Sequence, residues 1–209
     1  MTLYFDIIGS DDFHSNVSNS DSVLSDNDTY LDNNAAETIG NASDEGHNVD
    51  YWPKHTEEIP LTKDTGDLRD RRDEADNWLQ NNFDYYDSSS VCVVWDYYPS
   101  DDILGTSHPE GVNTPKKTAV INKAVNSSWT NYSHDYTSGH EIGHVCYANH
   151  EDVRLSKLDS YGYDWDATYL HTGEDVSGTC NDNSSYDDDV IEVKDEYSMC
   201  SYKRFSKKI

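Results

Sequence analysis

Positive charge is scarce in this chain. Against 41 Asp and Glu it sets 15 Lys and Arg, for a formal charge of −26. Such a balance excludes phosphate backbones as natural partners and disfavours anionic membrane surfaces. Long apolar runs are missing too: no stretch approaches the roughly 20 residues of a membrane span. Met1 to Asp6 lack the basic region and extended apolar stretch of a leader peptide. The four cysteines, Cys92, Cys146, Cys180 and Cys200, include no close pair of the zinc-knuckle kind. Cys92, in an apolar run, and Cys146 read as buried free thiols. A Cys180–Cys200 disulfide would staple a polar stretch that has little core of its own.

What the chain has instead is Asp, Asn, Ser and Tyr. A length of 209 residues allows one domain plus tails. With a pI near 4.3 and a mean hydropathy of −0.89, the acidic surface suits high salt, where screening removes self-repulsion. A halophilic source is the corresponding expectation. An extracellular or cell-surface location is expected, with the cytoplasm of a halophile as the alternative. Residues 10 to about 50 hold few large apolar side chains, which predicts a disordered or loosely ordered acidic arm over 1–50 and a folded domain over 51–209.

Within 51–209 the patterning is that of an α/β chain. Residues 57–62 read as a first strand. Leu68 to Phe83 reads as an amphipathic helix capped by Asp67, with Leu68, Ala75, Trp78, Leu79 and Phe83 on one face and Arg69, Arg72, Asp73 and Asp76 away from it. Ser90 to Tyr98 is branched and aromatic almost throughout, as in a strand buried on both faces. Residues 118–125 read as another strand. A helix is expected to begin between Ser133 and Ser138. His108 and His134 read as surface residues rather than ligands.

That last helix carries His140-Glu141-Ile142-Gly143-His144, and His150 follows six residues later. Histidines four apart lie on one helix face, one turn above each other, so their imidazoles can share an ion. Glu141, next to the first histidine, can reach a water activated by that ion. Near the C-terminus, Tyr197-Ser198-Met199-Cys200-Ser201-Tyr202 offers a methionine in a turn.

These motifs resemble the metzincin metallopeptidases, whose pattern is His-Glu-x-x-His-x-x-Gly-x-x-His followed by a methionine turn. Tyr147 stands where that family has its glycine. The resemblance covers roughly residues 57–205, and within it residues 103–107 resemble, by order and character, the family's short edge strand beside the metal, with an irregular loop as the alternative. It implies an α/β (α+β) fold, with a twisted mixed sheet backed by helices, an active-site helix and a small irregular C-terminal subdomain. It implies one catalytic Zn2+ held by His140, His144 and His150, Glu141 as general base, Met199 as a floor beneath the ligands, and Tyr202 as a supporting residue. The substrate would be a peptide or protein. Two alternatives stay open: an inactive metal-binding or adhesive surface protein that retains the fold, and a gluzincin-type peptidase taking a carboxylate, Glu192 or Asp195, as third ligand. Asp187-Asp188-Asp189 could hold Ca2+, against the plainer reading of a solvated charge run.

Overall fold

The computed structural model describes residues 4–36, 39, 54–64, 66–83, 90–109, 111, 114, 117–125, 133–146, 155–157, 165–167 and 190–193, the last three segments by their backbone alone. A five-stranded mixed sheet is its centre. The strands are β1 (Tyr4–Ser10), β2 (Lys54–Ile59), β3 (Ser90–Asp96), β4 (Gly105–Ser107) and β5 (Thr118–Asn122), in the order β2-β1-β3-β5-β4. β1, β2, β3 and β5 run parallel, and β4 closes one edge antiparallel to β5. Three further strands, β6 (Leu155–Lys157), β7 (Trp165–Ala167) and β8 (Val190–Val193), make a second sheet. The α/β class matches the sequence expectation.

Both faces of the central strands are covered, which is why β3 reads as an unbroken apolar run. Strand alternation sorts its residues. Phe5, Ile7, Val91, Val93, Trp95, Ala119 and Ile121 enter one core; Ile8, Cys92, Val94 and Val120 enter the other. Helix α3 (Leu68–Asn82) seals the second core with Leu68, Ala75 and Leu79, while Trp78 and Phe83 pack at its margin. Asp67 caps it, accepting from the Arg69 amide at 2.8 Å. The predicted apolar face is therefore present. Asp76, read as lying away from that face, is only 2% exposed.

The first core overturns the expected N-terminal arm for residues 4–36. β1 is an interior strand between β2 and β3, and helices α1 (Asp11–Asn16) and α2 (Ser20–Leu31) follow it directly. Ser10 caps α1 by accepting from the Phe13 amide at 3.0 Å. Phe13, Leu24 and Leu31 are fully buried. The polar composition hid a narrow stripe: in α2 the buried positions are Leu24, Asn27 and Leu31, one of them an amide. The strand expected over 57–62 is β2 at Lys54–Ile59, second in the chain rather than first. No helix among the described residues is long and apolar enough to cross a membrane.

Candidate metal centre

Helix α4 (His134–Val145) carries the His-Glu-x-x-His string. Its start is fixed by Ser133, whose Oγ accepts from the Tyr136 amide at 3.0 Å, and Asp135 adds negative charge to the first turn. Its inward face is Tyr136, Ile142 and Val145, with Cys146 just beyond, all in the first core. Asn27 ties it further: the amide donates to Asp135 Oδ1 at 2.9 Å and to Ser138 Oγ at 2.8 Å, and accepts from Trp95 Nε1 at 3.0 Å. One side chain from α2 thus joins sheet and helix. Cys92 and Cys146 are free and buried, as anticipated.

His134, read as a surface residue, is buried as the first residue of α4. Its Nε2 lies 3.0 Å from the Val125 carbonyl and its Nδ1 3.3 Å from Lys123 Nζ. A neutral ring donates from Nε2 and accepts at Nδ1, which satisfies both contacts. Burial, reinforced by the Lys123 charge, pushes its pKa down to about 4.

On the helix face beside β4, the Nε2 atoms of His140 and His144 approach to 3.1 Å, with their rings edge-to-face. Two imidazole nitrogens about 2.0–2.1 Å from one tetrahedral zinc stand roughly 3.3 Å apart. The separation and the nitrogen donors therefore fit a shared zinc. Glu141 lies between them in sequence and is 8% exposed. Its Oε2 accepts from Ser107 Oγ at 2.6 Å. Burial pushes the Glu141 carboxyl up, while His144, the Ser107 hydroxyl and Arg72 act the other way.

β4 is the sheet edge next to this face. The His108 amide bonds the Thr118 carbonyl, and the Asn122 amide bonds the Leu104 carbonyl. By antiparallel alternation, Gly105 and Ser107 then turn their backbone groups away from β5. Arg72 reaches across from α3 to the Ser107 carbonyl at 2.8 Å and to Thr106 Oγ1 at 3.2 Å. Gly105 is small for a reason. An added Cβ would meet Thr137 Cγ2 at 2.7 Å and Glu141 Cγ at 3.1 Å. Ser107 and Arg72 were not singled out in the sequence, because nothing in their spacing ties them to residue 141.

Of the remaining predicted residues, His150, Met199, Tyr202, Tyr147, Asp195, Cys180, Cys200 and the run 187–189 lie outside the described residues. Glu192 falls in β8, where the backbone alone is described.

No protein-family model matches the chain, and no curated protein does either. Among solved structures, metalloproteinase-II from Bacteroides fragilis aligns with 100% of this chain and 53% of its own, at a TM-score of 0.55 and 15% identity. The likeness is one of fold: this chain shares the fold of that metalloproteinase. The chain spans about half the length of that neighbour. A chain of a chaperone–substrate complex aligns with 71% of this chain and 23% of its own, at a TM-score of 0.48 and 11% identity.

Proposed function

We propose that the protein is a zinc-dependent endopeptidase of metzincin type. The observation that supports this best is the 3.1 Å approach of the His140 and His144 Nε2 atoms, with the buried Glu141 carboxylate near enough to His144 to interact with its charge. His140 and His144 would hold the ion, with His150 as third ligand. Zinc supplies a Lewis acid that acidifies a water and polarises the scissile carbonyl. Glu141 takes the water proton and passes it to the leaving amine. The Ser107 hydroxyl holds one carboxylate oxygen and so orients the base. β4, the last strand of the sheet, would offer its outer side to an extended peptide adding as a further strand. Met199 would floor the ligands and Tyr202 support them. A protein or peptide substrate, an extracellular setting and tolerance of high salt complete the reading.

The test is cleavage of casein or a quenched peptide in high salt, with and without chelator, by the wild-type chain and by Glu141→Gln. The expected result is chelator-sensitive cleavage that falls by about 10²–10⁴-fold in Glu141→Gln, with zinc content unchanged. Zinc binding without chelator-sensitive cleavage would overturn the peptidase and leave a metal-binding protein on the same fold.

A further inference from the structure

Away from the helix histidines, on the α3 face of the sheet, lies a second group of ligand-bearing side chains. We propose that Asp73, Asp76 and His108 form a separate divalent-metal site, for an ion of the zinc or manganese kind, that ties β4 to α3.

One ligand atom from each of the three residues lies within 4.8 Å of the other two. Asp73 and Asp76 are three apart on α3 and so project side by side. His108 leaves the end of β4 and faces them. Its Nε2 is 3.2 Å from Asp73 Oδ1 and also contacts Asp76 Oδ2. That nitrogen is buried and makes no hydrogen bond among the described residues, close as the two carboxylates are.

Surrounding groups hold the ligands as outer hydrogen bonds do at metal sites. Thr118 Oγ1 donates to Asp76 Oδ1, and Arg72 donates to Asp73 Oδ1 from Nη2 at 3.0 Å and from Nε at 3.2 Å. The Asp76 side chain is 2% exposed, that of His108 12% and that of Asp73 40%, so the ion enters on the Asp73 side and keeps water there. Two carboxylates and one imidazole favour zinc or manganese over calcium, which prefers all-oxygen cages. The site adjoins the candidate metal centre without sharing a ligand. Ser107 bonds Glu141, and the next residue, His108, reaches toward α3. An ion here fixes the edge strand against the helix behind it.

The experiment uses the full chain, stripped with chelator, carrying His140→Ala and His144→Ala so that the helix pair is removed. It is titrated separately with zinc, manganese and calcium, and bound metal is counted per chain. The proposal expects one zinc or manganese per chain. Affinity should drop at least tenfold on adding His108→Ala or, at the half-exposed position, Asp73→Asn. Calcium should bind more weakly and ignore His108→Ala. A double variant that takes up no saturable zinc or manganese overturns the proposal, as does binding unmoved by both substitutions. Should the double variant fail to fold, the single His108→Ala chain decides: wild type falling from two ions to one supports the site, and an unchanged count refutes it. If the helix histidines hold nothing, wild type and double variant carry the same single ion, so the two proposals fail separately.

Discussion

The two faces of one sheet differ sharply. Toward α4, the strands present Phe5, Ile7, Val91, Val93, Trp95, Ala119 and Ile121, all apolar. Toward α3, the same strands present Asp6, Ser10, Asp96, Thr118 and Asn122 alongside their apolar residues, all buried. At one end of that face, Arg71 donates to both Asp96 oxygens at 2.9 and 2.8 Å and to Asp12 at 2.6 Å, while Ser10 also donates to Asp96. At the other end sit Asp76, Thr118 and His108. The apolar face fixes the depth and direction of the His-Glu-x-x-His helix by packing. The polar face holds its charges in pairs, and each pair needs its partner.

The largest effect should come from breaking a pair on the polar face. Asp96→Ala leaves the Arg71 guanidinium, 3% exposed, without its main partner, and should cost about 3–5 kcal/mol in denaturant unfolding. Removing both charges, as Arg71→Met with Asp96→Ala, should cost less than Asp96→Ala alone. If the double variant is the weaker one, the pair is not the unit described. On the apolar face, Ile142→Ala should cost about 2–5 kcal/mol through the cavity beneath α4.

Gly105→Ala probes the seam between the faces. Its new methyl group meets Thr137 and Glu141, so it should cost about 1–3 kcal/mol and lower cleavage further than that loss of stability explains. Adding Thr137→Ser, which removes the contacting methyl, should recover part of the stability. No recovery would place the strain elsewhere.

The smallest effect is in pH. His134 is held neutral, with its pKa pushed down from 6.5 to about 4. Between those values the unfolded chain binds the extra proton, so stability is full above pH 6.5 and falls as pH drops toward 4. His134→Gln should flatten that slope relative to wild type. Equal slopes in the two chains would count against the buried contacts with Lys123 and Val125.

The elements with strong periodicity were legible without coordinates. α3 with its Asp67 cap and the doubly buried β3 follow from local pattern, whereas the short edge strand β4 was expected only through the family resemblance. The N-terminal region was not legible, for a physical reason. In α2 the buried stripe is one residue wide and includes Asn27, whose amide finds its partners in Trp95, Asp135 and Ser138, more than sixty positions away. β1 is interrupted by Asp6, a residue that reads as solvent-facing but is 4% exposed. At the site, spacing alone placed His140 and His144 on one face. Ser107, Arg72 and His108 join it or its neighbour through the sheet edge, which no local spacing encodes.

Anomalous diffraction at the zinc edge, from crystals of the chain grown with zinc, decides whether His140 and His144 share an ion. The expected peak lies roughly 2.0–2.1 Å from the Nε2 atoms of both histidines, with the Glu141 carboxylate beside it. Zinc bound elsewhere, with the two imidazoles hydrogen-bonded to each other, would refute a shared ion.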